Sequence, residues 1–440
     1  MAHSEQTDVV VVGGGFAGLT AARNLNDRGI SAIVVESRDR LGGRTWYRNF
    51  ADTDQLIEMG GNWLTMNYQP LMRAELDRYE IPIELSPEMT TSEWLINGVR
   101  SSGFPVPLEE IPALEKAVLH CVRAADRIDP YAPLDGQGLH DLDVSWDEFL
   151  SPLDLPAATW DFLSMFPVFY AARDTSTISA LMLLQQLALV GNSPWSFFAI
   201  GHHRFTRGTK SMIDALASDC ADIRLDTHIT RVTQTENGVE VTTASGETIT
   251  ARYAIWTTPL NCWNDVEFSP ALSSGKRGAA AGAHCSNTTV KFWALVENNT
   301  VDALMAGPST NRGLAVLSRE YDVEGHALKV GFSCDPTAYD FDTVAGTDQA
   351  VEALTPGAHV IKSDWHDWNN DPLAKGSWFG AQPGMLSKSH SELSRREGRV
   401  LFASSDVAVS FMGWMEGALE TAHKASTEVA ALLDTESAKA

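Results

Sequence analysis

The chain has 440 residues, of which 44% are hydrophobic and 20% are charged, as in an ordinary globular protein of two or more domains. Acidic residues outnumber basic ones by 57 to 33, and the net charge of −24 argues against nucleic acid and anionic membrane surfaces as partners. Five widely spaced cysteines without a C-x-x-C pair predict reduced thiols and a cytoplasmic location. Neither a secretory signal nor an apolar run of ~18 residues is found, so we expect no membrane segment.

The first strong pattern is a strand, a glycine-rich turn and a helix. Four valines at positions 9–12 suit a strand buried on both faces, and the next six residues match G-x-G-x-x-G. In such a turn Gly13 permits the sharp bend, Gly15 lets a pyrophosphate approach the backbone, and Gly18 allows the helix to pack closely on the strand. The N-terminus of the helix then offers free N–H groups to the phosphates.

An acidic residue completes this pattern. Glu36 ends the second predicted strand, about 20 residues after the turn, where a carboxylate accepts hydrogen bonds from an adenosine ribose. Strand, turn, helix and acid together predict a dinucleotide site, and they leave open whether the dinucleotide is NAD or FAD.

The following residues favour FAD. Residues 37–45 read SRDRLGGRT, and the R-x-x-x-G-G-R that begins at Arg38 lets the chain lie against a flat cofactor while its arginines face the diphosphate. A second glycine pair, Gly60 and Gly61, repeats this feature. An acidic strand end that runs into R-x-x-x-G-G-R resembles the flavin-containing amine oxidase (monoamine oxidase) family. Residues 413–418, GWMEGA, are similar to that family's C-terminal motif.

The resemblance covers nearly the whole chain and implies an α/β fold of two domains. A Rossmann-like FAD-binding domain would comprise residues 1–83, 204–283 and 385–440, and a substrate-binding domain of mixed sheet and helices would comprise residues 84–203 and 284–384. Segments 74–82, 366–378 and 411–422 are most similar to small bacterial members that oxidise hydroxynicotine or cyclohexylamine. Family members are often dimers, so we expect a homodimer by analogy.

The reacting groups are assigned through the resemblance. Lys291 lies in a short predicted strand among apolar neighbours; its alternation alone favours an exposed strand face, because burying an ammonium is costly. The resemblance implies instead that Lys291 holds a water near flavin N5 and that Trp378 and Trp414 form an aromatic pair before the flavin. Ser377 takes the place of the cysteine that monoamine oxidases bond to the flavin. Since serine cannot form that thioether, we expect non-covalent FAD.

The remaining cofactor contacts are predicted from the residue patterns and from the family resemblance. Asp406 replaces the family's usual glutamate near the ribityl chain, and a helix beginning near Met415 would direct its dipole at the flavin N1/C2=O. Ile229 begins the strand that contacts adenine, and Trp368 lies beside the isoalloxazine. The predicted cofactor-binding residues are Gly13, Gly15, Phe16, Ala17, Gly18, Glu36, Ser37, Arg38, Gly42, Gly43, Arg44, Gly60, Gly61, Asn62, Trp63, Ile229, Trp368, Asp406 and Met415.

The predicted substrate pocket consists of Phe169, Tyr170, Trp378 and Trp414. Phe169 stands about where the hydroxynicotine enzymes present an asparagine, which favours a small cyclic or aromatic, largely apolar amine. We find no obvious acidic patch for a second ammonium. His202 and His203 lack further ligands in the sequence, so no metal site is expected.

The resemblance implies an FAD-dependent oxidation of the amine C–N bond to an imine, by hydride transfer to flavin N5, with O2 as acceptor and H2O2 as product. Two alternatives are a hydroxynicotine-type or other alkaloid amine oxidase, and a flavin desaturase or protoporphyrinogen-oxidase-like enzyme.

Overall fold

A computed structural model describes residues 5–198, 201–299 and 301–438. The strands in chain order are β1 Glu5–Val12, β2 Ala32–Val35, β3 Tyr47–Asn49, β4 Leu56–Glu58, β5 Trp63–Leu64, β6 Ile83–Leu85, β7 Ser92–Ile96, β8 Val99–Ser101, β9 His203–Phe205, β10 Asp222–Arg224, β11 Ile229–Gln234, β12 Val239–Thr243, β13 Thr248–Trp256, β14 Glu267–Ser269, β15 Val290–Glu297, β16 Ala303–Ala306, β17 Leu314–Val323, β18 His326–Ser333, β19 His359–Trp365 and β20 Val400–Phe402. The α-helices are α1 Phe16–Asn26, α2 Pro70–Arg78, α3 Ile111–Ala125, α4 Trp146–Leu150, α5 Ala157–Ala171, α6 Ala180–Leu189, α7 Pro194–Phe198, α8 Lys210–Ser218, α9 Ser274–Ala281, α10 Val344–Leu354, α11 Leu386–Ser394 and α12 Met415–Ser437.

The larger sheet has β1 at its centre. Its strand order is β10-β2-β1-β13-β12-β11-β14, and β20 pairs with β13. The side chains of Val9 and Val11 pack among α1, α8 and α12, while Val10 and Val12 belong to the core on the opposite face. The sheet is therefore covered on both faces, as the run of four valines predicts, and the α/β fold class is confirmed.

Three parallel strands of this sheet end together. Val12 is in register with Val35 on one side and with Trp256 on the other. Gly13 and Glu36 consequently leave the sheet at one edge, the carboxyl edge, where open α/β sheets bind their ligands.

The second sheet has seven strands in the order β19-β15-β18-β17-β16-β7-β8, and β15 runs antiparallel to both of its neighbours. All strands of the larger sheet fall within the segments predicted for the FAD-binding domain, and all strands of the second sheet fall within those predicted for the substrate-binding domain. The exact domain boundaries stay a prediction. The exposed face that alternation alone favours on β15 is not found, because Lys291 and its neighbours from Val290 to Val296 are all buried.

Two observations concern the chain as a whole. All five cysteines are unpaired. None of the helices in the part of the chain that the structure describes is long and apolar enough to cross a membrane.

Candidate active site

One cavity of about 910 Å³ extends from the carboxyl edge of the larger sheet to the face of the second sheet. The residues on its wall that the sequence singles out are Gly13, Gly15, Phe16, Ala17, Glu36, Ser37, Arg38, Gly42, Gly43, Arg44, Gly60, Gly61, Asn62, Trp63, Phe169, Tyr170, Ile229, Trp368, Ser377, Trp378, Trp414 and Met415. The wall does not include Gly18, Lys291 or Asp406. The cavity thus joins the predicted cofactor residues to the predicted substrate residues.

The glycines of the motif meet different surroundings. A Cβ on Gly18 would lie 1.9 Å from the carbonyl oxygen of Gly13, so Gly18 is needed where the helix touches the strand turn. A Cβ on Gly15 would lie 3.8 Å from its nearest neighbour, the oxygen of Gly42, which is an ordinary contact distance. Gly13 has φ +116°, which only glycine adopts readily. Turn, approach and packing are thus divided among the three glycines as the motif predicts.

Unpaired polar groups on the wall fit a dinucleotide. The helices α1 and α12 begin at Phe16 and Met415 on the wall, and neither has a side-chain N-cap, so their first N–H groups and positive dipole ends face the cavity. Three buried wall atoms also lack a hydrogen-bond partner among the described residues: Asn62 Nδ2, Trp256 Nε1 and Thr258 Oγ1. A bound FAD would satisfy such groups, so the residues present fit this cofactor.

Hydrogen bonds to Glu36 and from Arg40 hold the loop that carries R-x-x-x-G-G-R. Glu36 accepts hydrogen bonds from the backbone N–H groups of Gly14 at 2.7 Å and of Arg38 at 2.9 Å. Arg40, which the sequence did not single out, donates to the carbonyl oxygens of Leu41 and Gly43 at 3.2 Å. Burial lowers the pKa of Arg40 to about 10. The position of Arg40 inside the motif was the only sign in the sequence that it holds this loop.

Asp406 is held by hydrogen bonds within the protein. It is fully buried and off the cavity wall; its Oδ1 lies 2.7 Å from a guanidinium nitrogen of Arg44, and its Oδ2 accepts from the N–H of Leu260 at 3.0 Å. Arg44 also donates to the Ser377 carbonyl oxygen at 2.7 Å. Although burial opposes it, the Asp406 carboxylate raises the pKa of Arg44. Asp406 thus positions Arg44, and its contact with the ribityl chain stays a prediction.

Lys291 lies directly behind the wall. Its Nζ donates to the carbonyl oxygen of Gly60 at 2.7 Å and lies 4.8 Å from the ring centroid of Trp63. Burial lowers the pKa of Lys291 to about 8, although the carboxylates of Glu58 and Glu320 raise it. An ammonium with a lowered pKa beside two wall residues can hold or release a proton near neutral pH.

Aromatic rings form the end of the cavity on the second sheet. The ring centroid of Phe332 lies 5.6 Å from that of Trp63, 6.2 Å from that of Trp378 and 6.4 Å from that of Phe169. The indole N–H of Trp378 donates to the Tyr170 carbonyl oxygen at 3.0 Å, which fixes the ring. This end can orient an apolar or aromatic molecule.

Sequence reasoning missed one face of β17. Val316, Ser318 and Glu320 alternate along that strand and reach the wall. Glu320 is buried, its Oε2 lies 2.9 Å from a guanidinium nitrogen of Arg204, and burial raises its pKa to about 7. Glu320 stands beside Arg319 in the polar half of the strand, so the sequence offers no signal of its burial.

No group of three or more His, Cys, Asp or Glu side chains in the described ranges could hold a metal ion. A nucleotide-type sheet edge that opens into an aromatic cavity is typical of flavin-dependent oxidoreductases.

Comparison with known proteins identifies the family. The model of the family described as flavin containing amine oxidoreductase matches residues 16–430, and the chain belongs to this family of enzymes. It is 33% identical to (S)-6-hydroxynicotine oxidase of Paenarthrobacter nicotinovorans over 94% of this chain and 97% of that enzyme. Two solved structures share the fold. Putrescine oxidase bound to putrescine has a TM-score of 0.86 and 21% identity, over 97% of this chain and all of that one. Cyclohexylamine oxidase of Brevibacterium oxydans IH-35A has a TM-score of 0.81 and 20% identity, over 97% of this chain and 99% of that one. The resemblance inferred from the motifs is confirmed.

Proposed function

We propose that the protein oxidises the C–N bond of a small amine to an imine, with non-covalent FAD as cofactor and O2 as acceptor, producing H2O2. The observation that carries this proposal is the single cavity lined by the glycine motif at one end and by Trp378 and Trp414 at the other. A cofactor and an apolar amine would meet inside it, shielded by aromatic rings.

Bound FAD supplies the hydride acceptor. The chain's own residues would bind and orient the cofactor: Gly15 and the N-terminus of α1 would hold the diphosphate, and the N-terminus of α12 would hold the flavin ring. The faces of Trp378 and Trp414 receive the neutral amine and favour the positive charge that develops on its nitrogen. Lys291 holds a proton at Nζ close to Gly60 and Trp63, beside the predicted flavin position.

Anaerobic titration of the yellow protein with cyclic, aromatic and aliphatic amines tests the proposal, with bleaching near 450 nm as readout and H2O2 release measured afterwards in air. The panel includes cyclohexylamine and a 6-hydroxynicotine, since a hydroxynicotine oxidase at 33% identity favours an alkaloid amine as the second candidate. Flavin that no amine bleaches would contradict amine oxidation.

Removing one ring of the Trp378–Trp414 pair tests the role of that pair. We expect Trp378→Ala to lower kcat/KM for the best amine by about 10- to 100-fold, because orientation and cation–π contact are lost together. Trp195→Ala is the matched control, since that side chain is 79% exposed and lies outside the cavity wall. Equal kcat/KM for the wild type and Trp378→Ala would exclude a role for the aromatic pair in orienting the amine.

The role of Lys291 is tested by measuring the rate of flavin reoxidation after stopped-flow mixing with O2. Lys291→Met should slow this step, whereas Lys329→Met, which removes a buried lysine bonded to the Val301 carbonyl oxygen, should leave it unchanged. The same slowing in both variants would indicate a general effect of losing a buried ammonium.

We expect non-covalent attachment because a serine, Ser377, whose hydroxyl is hydrogen-bonded to that of Thr289, cannot form a thioether to the flavin. Acid precipitation should leave the yellow cofactor in the supernatant, and flavin that stays with the pellet would contradict this part of the proposal. The five unpaired cysteines support a cytoplasmic location; location and homodimer formation stay predictions.

A further inference from the structure

The loop that carries R-x-x-x-G-G-R contains three arginines, and their side chains have different partners. Arg40 donates to carbonyl oxygens of the loop itself and is off the cavity wall. Arg44 uses both terminal nitrogens, one on Asp406 and one on a backbone carbonyl oxygen. Arg38 lies on the wall, and within the described ranges its guanidinium makes one hydrogen bond, to Asp371. Since a guanidinium has several N–H donors, those of Arg38 that remain can donate to a ligand.

Asp371 holds the guanidinium of Arg38 from outside the cavity. Its Oδ1 lies 2.9 Å from a guanidinium nitrogen of Arg38 and also accepts from the N–H of Leu373 at 2.9 Å. Its Oδ2 accepts from Nε2 of His366 at 2.8 Å. Asp371 is buried, and neither it nor His366 is on the cavity wall. Although burial opposes it, the hydrogen bonds from His366 and Arg38 keep the pKa of Asp371 below its ordinary value, so the carboxylate is charged.

The imidazole of His366 is fixed in turn by two tryptophans. Its ring centroid lies 5.1 Å from that of Trp46 and 4.4 Å from that of Trp368, and both contacts are edge-to-face. The indole N–H of Trp368 donates to the Met59 carbonyl oxygen at 3.1 Å. Arg38 is thus held through a carboxylate that is itself held, and an arginine ordered in advance loses less entropy when it binds a ligand.

Charge and position indicate which part of the cofactor Arg38 meets. Glu36, Arg38 and Gly15 share the wall at the carboxyl edge of the larger sheet. The motif assigns Glu36 to the adenosine ribose and Gly15 to the pyrophosphate. The diphosphate is the anionic part of FAD, and a guanidinium matches phosphate oxygens in both charge and geometry.

We propose that Asp371 is a positioning residue for the cofactor: it holds Arg38 so that the remaining N–H groups of the guanidinium donate to the FAD diphosphate. The two residues are 333 positions apart and belong to different predicted domains. Retention of the cofactor therefore depends on a contact between these two parts of the chain. The inference rests on the FAD binding of the proposed function and is independent of which amine is oxidised.

The rate at which diluted, flavin-loaded protein releases FAD tests the proposal, with the rise in free-flavin fluorescence as readout. We expect Asp371→Asn to release FAD about tenfold faster than the wild type, since Arg38 loses a charged hydrogen-bond partner. Asp364→Asn is the matched control. Asp364 pairs with Arg48 at 2.6 and 2.8 Å across 316 residues, and both side chains are off the cavity wall. Release as slow as in the wild type, or equally accelerated in both variants, would overturn the proposal.

Combination with Arg38→Met separates positioning from a general loosening of the fold. If Asp371 acts through Arg38, Arg38→Met alone should accelerate release, and adding Asp371→Asn should have no further effect. A further acceleration of about tenfold in the double variant would show that Asp371 acts independently of Arg38. Unchanged release in Arg38→Met would likewise contradict the proposed role.

Phosphorus NMR of the bound diphosphate needs no release of flavin and therefore applies to covalent attachment as well. We expect the phosphorus resonances to shift in Asp371→Asn and to keep their wild-type positions in Asp364→Asn. If no amine bleaches the flavin but this pattern is found, the proposed oxidation fails and the role of Asp371 stands. If amines bleach the flavin and the resonances of Asp371→Asn match the wild type, the role of Asp371 alone is wrong.

Discussion

Two buried arginine–carboxylate pairs lie beside the cavity. At the cofactor end Arg44 and Asp406 are 2.7 Å apart, and at the substrate end Arg204 and Glu320 are 2.9 Å apart. Asp406 is off the cavity wall and uses both oxygens on donors of the protein, whereas Glu320 lies on the wall. The first pair is therefore part of the architecture, and the second borders the cavity itself.

The difference extends to the residues around each pair. At the cofactor end, backbone segments touch each other with no room for a Cβ at Gly18 or Gly60. At the substrate end, side chains from separate strands surround an open space. We therefore expect changes at the cofactor end to affect folding and flavin retention, and changes at the substrate end to affect which amine is oxidised.

The largest effect should come from the glycine motif. Gly18→Ala places a methyl group 1.9 Å from the Gly13 oxygen and should prevent recovery of folded yellow protein. Gly15→Ala meets nothing closer than 3.8 Å, so it should fold with near-native melting temperature and retain less flavin. Soluble yield, melting temperature and flavin absorbance measure both. Gly278→Ala is the control, because the space around its Cβ is open. If all three variants have the same yield, melting temperature and flavin content, the separate roles of Gly18 in helix packing and Gly15 in cofactor approach would be wrong.

The next effect concerns Asp406. Asp406→Ala leaves the buried Arg44 guanidinium without its carboxylate, which should lower the free energy of unfolding by about 3–5 kcal/mol. Denaturant unfolding of the flavin-loaded protein measures it. A loss below ~1 kcal/mol would show that Arg44 finds another partner, and the architectural role of this pair would be wrong.

The smallest effect is a pH dependence at the other pair. Burial raises the pKa of Glu320 to about 7 from its ordinary value of 4.5, so between these values the folded chain holds a proton that the unfolded chain releases. Stability from this group is present below pH 4.5 and is lost as pH rises toward 7, by roughly 1–3 kcal/mol. Glu320→Gln lacks this component, and parallel stability–pH curves for the wild type and the variant would contradict it.

The cofactor end could be predicted largely from the sequence because its parts are local. Gly13, Gly15 and Gly18 act within one strand–turn–helix, and their separate roles follow from spacing alone. The substrate end could not be predicted in this way. Glu320 is 116 residues from Arg204, and the pair exists only once β9 and β17 are brought together.

The alternation of residues along β15 also did not predict that the strand is buried. Alternation predicts one exposed face when a sheet faces water, but β15 is buried from Val290 to Val296 and the ammonium of Lys291 donates to the Gly60 carbonyl oxygen. The pairing of Asp406 with Arg44 could not be predicted for a related reason, because it depends on a contact across 362 residues.

The place of β13 in the larger sheet has a consequence for biosynthesis. This strand pairs with β1 from the beginning of the chain and with β20, which starts only at Val400. The helix whose N-terminus closes the cavity begins later still, at Met415. The cavity wall is therefore complete only after the growing chain has emerged from the ribosome beyond Met415.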